Sequence, residues 1–153
     1  MNTMTTPAKL AVGAELSAPF RVGTPERVEW YDSGLISASL GVLSRVGDNI
    51  HTSDEFARQQ GLPGAILDGM SSTNWCSTML IQYFGMDYVE RGELRTKFIK
   101  PIYLGVPVRP RGKVLSVEKN DGGGTEYKLD IWVEDDKGNK LVDGSARVVV
   151  AAK

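Results

Sequence analysis

The stretch MSSTNWCSTMLIQYF at residues 70–84 decides the fold. It is long enough for about four helical turns and contains no charged residue. Because a helix on a protein surface carries a polar face, a helix without charge is expected to be buried on most sides. The sequence therefore predicts a central core helix. Cys76, inside it, is expected to be a small packed residue rather than a nucleophile.

The sequence after this helix changes to the alternating pattern of β-strands. In GELRTKFIKP, residues 92–101, Leu94, Thr96 and Phe98 fall on one face. Three further strand candidates follow at 106–119, 125–135 and 140–152, joined by the turn sequences NDGGG and DDKGN. An antiparallel sheet has an apolar face that one uncharged helix can cover. The predicted fold class is therefore α+β.

Two helices are predicted on the N-terminal side. In GTPERVEWYDSGL, Thr24 is a candidate N-cap and Pro25 suits the first helical position. In TSDEFARQQG, Thr52 or Ser53 is the cap and Gly61 the stop. Residues 12–22 are predicted to be the first ordered piece, in which Pro19 limits any strand to a sheet edge or to a short length. Residues 35–44 are predicted to form a short helix or a helix pair, with undecided boundaries.

Composition bounds the class of protein. A chain of 153 residues fits one domain with a real core. A net charge of −1 gives no footprint for nucleic acid, and no apolar run reaches the length of a membrane span. The polar start MNTMTTPAKL predicts a flexible tail over residues 1–9, followed by one domain over 10–153. A single cysteine suits a reducing compartment, so a cytoplasmic location is predicted. No metal site and no cofactor are predicted.

The stretch GDNIHTSDEFARQQGLPGAILDGM, residues 47–70, holds the candidate chemistry. It contains the only histidine, His51, three residues after Asp48. A histidine and a carboxylate can divide proton transfer between them. The start of the central helix presents unpaired amides, among them that of Gly69, which suit a developing oxyanion. Asp68 is a candidate N-cap for the same helix.

These motifs resemble the MaoC-like family of hot-dog proteins, notably the (R)-specific enoyl-CoA hydratases. The resemblance rests on NIHTSDEFARQQGLPGAILDGM, FIKPIYLGVPV and GSARVVVAA, which lie within roughly two thirds of the chain. It implies a single hot-dog domain, an antiparallel sheet wrapped around a long central helix. It also implies a homodimer with active sites at the subunit interface, where the loop of one chain meets the helix of its partner.

The activity implied by the resemblance is that of a lyase. It would hydrate an enoyl thioester or dehydrate a 3-hydroxyacyl thioester, carried on CoA or on acyl carrier protein. His51 falls on the family's catalytic histidine, Gly69 on the glycine whose amide binds the thioester carbonyl, and Ser77 on a supporting serine. The family's catalytic aspartate, five residues before the histidine, is Val46 here, so Asp48 is the candidate in its place.

The family's histidine before Gly-Met is Asp68 in this sequence, which places another carboxyl group near the expected thioester site. Two alternatives stay open. One is an acyl thioesterase, in which Asp48 or Asp68 activates water against the thioester carbonyl. The other is a divergent hot-dog enzyme or binding protein that acts on a secondary metabolite without CoA.

Overall fold

A computed structural model describes residues 9–33 and 48–152. Its largest element is an antiparallel sheet, and its strands are β1 (Glu15–Ser17), β2 (Arg21–Val22), β3 (Gly92–Phe98), β4 (Pro107–Lys119), β5 (Thr125–Asp135) and β6 (Lys140–Val150). The order across the sheet is β1-β4-β5-β6-β3, and β2 also pairs with β4. The predicted meander is therefore present, with β3 added at one edge and the two short N-terminal strands at the other.

Four helices are described: α1 (Pro25–Ser33), α2 (Asp54–Gln59), α3 (Gly69–Phe84) and α4 (Met86–Arg91). The predicted caps are present. The Thr24 hydroxyl accepts a hydrogen bond from the Arg27 amide at 3.3 Å, and Ser53, one of the two candidates for α2, accepts one from the Phe56 amide at 3.3 Å. The chain leaves α2 through Gly61, whose φ of +85° favours glycine.

Helix α3 packs against one face of the sheet and contacts β1, β3, β4, β5 and β6. Its buried side chains all belong to the hydrophobic core except that of Ser72, which donates to the Gly69 carbonyl. They are Ser72, Trp75, Cys76, Met79, Leu80 and Phe84. The prediction of a helix in the core is confirmed for this face of α3.

The opposite face of α3 differs from the prediction of burial on most sides. Met70 is 50% exposed and Ile81 44% exposed. The physical reason is that a single sheet can cover only one side of a helix. An uncharged helix face is therefore left at the surface of the described chain.

Helix α4 was not predicted from the sequence. Its six residues are enclosed by Gly85 and Gly92, which is too short for a periodic signal. It is held by an Arg91–Asp87 ion pair at 2.9 Å and by the Ala151 amide, which donates to Asp87 at 3.1 Å. The second contact joins α4 to the residue that follows the end of β6, and a local sequence pattern does not predict such a long-range contact.

Some predictions fall outside the described residues. These are most of the tail over residues 1–9, the segment 35–44 and Val46. The domain bounds of 10–153 stay a prediction. Within residues 9–33 and 48–152, no helix is long and apolar enough to cross a bilayer.

Candidate active site

His51 lies in a tight turn just before α2. The Asn49 side-chain oxygen accepts a hydrogen bond from the His51 amide at 2.7 Å, and the Thr52 hydroxyl accepts one from the Asn49 amide at 3.1 Å. These bonds fix the backbone of the turn. Asn and Thr side chains readily replace backbone partners in this way, which explains why the sequence NIHT forms a tight turn here.

The His51 ring is oriented by the connector between α2 and α3. Its Nδ1 lies 2.9 Å from the Ile66 carbonyl oxygen. A carbonyl can only accept, so Nδ1 carries the proton and donates. In the neutral ring Nε2 then has a free lone pair and can act as a base. The side chain is 23% exposed, which leaves Nε2 reachable by a small molecule.

The connector itself is held in place by two backbone hydrogen bonds. The Ile66 amide donates to the Ile50 carbonyl at 3.0 Å, and the Leu67 amide donates to the Ile102 carbonyl at 2.7 Å. The first bond ties the connector to the histidine turn, and the second ties it to the segment between β3 and β4. Together they place the start of α3 beside His51 of the same chain.

The two carboxylate oxygens of Asp68 have different neighbours, one at the helix start and one at His51. Oδ1 accepts a hydrogen bond from the Met70 amide at 2.7 Å and caps α3. Oδ2 lies 3.8 Å from His51 Nε2. That separation is too long for a direct hydrogen bond. It lets one water molecule lie within about 2.8 Å of both atoms.

Gly69 is the first residue of α3, so its amide has no partner inside the helix. The adjacent cap is used by Met70, which leaves the Gly69 amide as a donor at the positive end of the helix dipole. A Cβ at position 69 would lie 2.7 Å from the Phe98 ring. Glycine is therefore required for the close approach of Phe98 to the helix start.

These groups line a cleft of about 480 Å³. Its walls are mostly apolar, with His51, Asp68, Ser72 and Lys100 as the polar side chains. The lining residues are His51, Ile66, Leu67, Asp68, Gly69, Met70, Ser72, Phe98, Ile99, Lys100, Pro101, Ile102 and Val142. An apolar cleft with a few convergent polar groups is the usual form of a small-molecule site.

Three of the five predicted site residues come together here: His51, Asp68 and Gly69. Asp48 is exposed and is not among the lining residues of the described chain. Ser77 lies further along α3, where its hydroxyl accepts a hydrogen bond from the Tyr88 hydroxyl at 3.1 Å, and it does not line the cleft either. His51 meets the start of α3 of its own chain, and the predicted contact between the histidine loop and the helix of a partner stays a prediction.

Two features of the site were not foreseen from the sequence. One is the Ile66 carbonyl, which sets the tautomer of His51. The other is Phe98, which was predicted only to face the same side of its strand as Leu94 and Thr96. The pairing of Phe98 with Val142 in β6 places both at the cleft. No local signal reports this pairing, because the two residues are far apart in the chain.

Cys76 lies outside the cleft lining, in the core. Burial raises the pKa of its thiol to about 12. Since the thiolate is the nucleophilic form, a thiol with this pKa is unreactive near neutral pH. Within the described ranges, no group of three or more His, Cys, Asp or Glu side chains could hold a metal ion.

The fold and the site define a class of protein: an α+β domain with an apolar cleft that is lined by a histidine, a carboxylate and the first residue of a helix. The profile of the MaoC like domain matches residues 47–136, more than half of the chain. The chain belongs to the MaoC-like family. The predicted hot-dog fold is thereby confirmed. A comparison with curated proteins gave no match.

Solved structures agree with this fold. A MaoC-like dehydratase from Rhodospirillum rubrum superposes with a TM-score of 0.73 at 14% identity, over 94% of each chain. An (R)-hydratase from A. caviae involved in PHA biosynthesis gives 0.70 at 18% identity, over 94% of this chain and 98% of that one. The HadBC (3R)-hydroxyacyl-ACP dehydratase complex from Mycobacterium tuberculosis gives 0.64 at 15% identity, over 90% and 96%.

Proposed function

We propose that this protein is a lyase that hydrates an enoyl thioester or dehydrates the corresponding 3-hydroxyacyl thioester, with His51 as the group that transfers the proton and Asp68 as the carboxylate that holds the water. The observation that carries the proposal is the bare Nε2 of His51, 3.8 Å from Asp68 Oδ2 and in the same cleft as Gly69. The hydratases and dehydratases named above support the same class of reaction.

Hydration follows from this arrangement in two steps. A water between the two side chains donates a hydrogen bond to Asp68 Oδ2 and transfers its other proton to Nε2, while its oxygen bonds to the β-carbon. The hydrogen that faces Asp68 stays on the oxygen, which becomes the hydroxyl group of the product. The electrons of the double bond move towards the carbonyl oxygen, where the Gly69 amide stabilises the enolate. The imidazolium then returns its proton to the α-carbon. Water has been added across the double bond, and His51 is neutral again.

The choice of Asp68 rather than Asp48 rests on position. Asp68 faces the histidine inside the cleft, whereas Asp48 is exposed outside it. Since Val46 occupies the family's aspartate position, the carboxylate at the helix cap takes over the role of holding the water. Ser77 then acts by supporting the packing of α4 through Tyr88.

The test is hydration of crotonyl-CoA, followed as loss of the enoyl thioester absorbance. We expect His51→Ala to lower kcat by at least about a hundredfold, the usual scale of general acid–base assistance. Asp48→Asn, with its change at an exposed site, serves as the matched control and should retain activity. Full activity in His51→Ala would contradict the assignment.

A thioesterase is the second candidate, and the nearness of Asp68 to the Gly69 amide favours it. A carboxylate at that point could activate water against a carbonyl held by the same amide. Release of free thiol from crotonyl-CoA or acetyl-CoA would identify this reaction. Tight binding without either reaction would instead indicate the divergent enzyme or binding protein.

The proposal includes a homodimer. Two surfaces of the described chain support it: the uncharged face of α3 with Met70 and Ile81 exposed, and the free edge of β3, which pairs only with β6 among the described strands. Free strand edges and exposed apolar patches are features that partners usually cover. Ile81→Asp should yield a monomer in sedimentation velocity, with Gln82→Asp as the control. The cytoplasmic location stays a prediction.

A further inference from the structure

The basic side chains of the sheet and of the segment between β3 and β4 fall into two groups: those that form ion pairs with described residues and those that form none. Arg109 and Arg111 both contact Glu134, at 2.9 and 3.2 Å, and Arg111 also pairs with Glu15 at 2.6 Å. The Trp132 indole donates to the second oxygen of Glu134 at 2.8 Å. These arginines are therefore used within the fold and are not available to hold a ligand.

Lys100 belongs to the other group. It is the only lysine or arginine among the described residues that line the cleft, and it forms no ion pair with any other described residue. Asp68, the only carboxylate in that lining, is directed at His51 and its helix instead. The cleft thus holds one ammonium group for which the described chain supplies no carboxylate.

The backbone presents Lys100 from a fixed point. The amides of Ile99 and Lys100 both donate to the Leu141 carbonyl at 3.0 Å. Pro101 follows, and a residue before proline is confined to extended conformations. The base of the side chain is therefore held in place while the ammonium group remains exposed.

We infer that Lys100 binds an anionic oxygen group of the substrate of the proposed reaction. This inference rests on the proposed function, because it names the substrate class of the same cleft. A charge-assisted contact to phosphate or carboxylate is the interaction that an unpaired ammonium group favours. The anion has two sources with this chemistry: a phosphate of the carrier, or a carboxylate at the far end of the acyl group.

The experiment measures KM and kcat for wild type, Lys100→Met and Lys100→Arg. Lys97→Met is the matched control, since Lys97 is exposed, lies on the same segment and does not line the cleft. The substrates are crotonyl-CoA, uncharged crotonyl-pantetheine and fumaryl-pantetheine, which carries an acyl carboxylate. We expect Lys100→Met to raise KM at least about tenfold for an anionic substrate with kcat little changed, and Lys100→Arg to recover most of the loss.

The substrates separate the two sources. A loss with crotonyl-CoA that disappears with crotonyl-pantetheine identifies the carrier phosphate. A loss confined to fumaryl-pantetheine identifies the acyl carboxylate. Equal KM values in wild type and Lys100→Met for both anionic substrates would overturn the inference. It would also be overturned if the substitution raised KM as much for uncharged crotonyl-pantetheine as for the anionic substrates.

Calorimetry keeps this inference distinct from the proposed function. If wild type turns over none of the thioesters, the proposed reaction fails, and binding of CoA and of monomethyl fumarate is compared in wild type and Lys100→Met. Weaker binding of either anion to the variant supports the role of Lys100. Equal binding, or no binding to wild type, overturns it.

Discussion

Replacing Asp68 by asparagine separates the two tasks of this side chain. Asparagine caps helices about as well as aspartate, so its oxygen can keep the 2.7 Å bond from the Met70 amide. The other atom, now an NH₂ group, faces His51 Nε2 across 3.8 Å. It can only donate, so it can neither hold a hydrogen of the attacking water nor balance the charge of an imidazolium.

The size of the effect follows from that distance. Two unit charges about 4 Å apart interact by roughly 1 kcal/mol in water and about 4 kcal/mol near a protein surface. At about 1.4 kcal/mol for each factor of ten, losing this stabilisation lowers kcat by between about fivefold and a thousandfold. Both side chains are about a quarter exposed, which places the expected loss near the middle, at about a hundredfold.

The assay pairs kinetics with thermal unfolding. Asp68→Asn should lose activity in crotonyl-CoA hydration while its Tm stays within about 1 °C of wild type. Asp68→Ala should lose activity as well, and loss of the cap, about 1 kcal/mol, should lower its Tm by a further 2–4 °C or so. Wild-type activity in Asp68→Asn would refute the role of this carboxylate in the reaction.

Three further predictions concern the surroundings of the site and the core. In Gly69→Ala the new methyl group displaces the half-exposed Phe98 ring, so the free energy of unfolding should change by under about 1 kcal/mol. The same methyl group hinders access to the Gly69 amide, so kcat/KM should fall by up to about a hundredfold. Desolvation raises the pKa of the Glu134 carboxyl group, but hydrogen bonds from Trp132 and Arg109 outweigh this effect and lower the pKa below its usual value. The charged carboxylate therefore stabilises the fold at pH values above the pKa of the unfolded chain. This stabilisation is lost as the pH falls through the lower pKa of the folded protein. Glu134→Gln should accordingly cost about 1–3 kcal/mol in urea unfolding at pH 7 and less in acid, and an equal cost at pH 3 would contradict this. Cys76, with its pKa raised to about 12, should react with a thiol reagent at pH 8 only as fast as the protein unfolds, and rapid labelling of the native protein would show that the thiol is accessible.

The parts of the fold that sequence reasoning predicted are those with a local signal. Strand β5 was predicted at its observed bounds because alternation and flanking turn residues mark it, and Asn120 and Asp135 form the turns at its two ends through their own side chains. Strand β1, only three residues long, lies at the sheet edge within residues 12–22, where any strand was predicted to be short or at an edge, but no alternation marks its bounds. It exists because Leu16 pairs with Gly112, almost a hundred residues later in the chain.

The site shows the same division between local and distant causes. The cap at Asp68 and the turn at His51 both depend on neighbours within three residues, and the cap was predicted. Whether Asp48 or Asp68 meets the histidine depends on Leu67 bonding to Ile102, a contact between segments that no local pattern relates. The sequence could therefore name both carboxylates but not choose between them.

The position of Asp68 also explains why a carboxylate is tolerated beside an oxyanion donor. Its Oδ1 is engaged by the Met70 amide, so part of the negative charge is held by the helix itself. The remaining oxygen lies 3.8 Å from His51 Nε2. In the proposed reaction the helix start stabilises the Asp68 carboxylate through the Met70 amide and the enolate through the adjacent Gly69 amide. Because the two amides are adjacent, a carboxylate at the cap places the water of the proposed reaction between the base, His51, and the proposed oxyanion donor, Gly69.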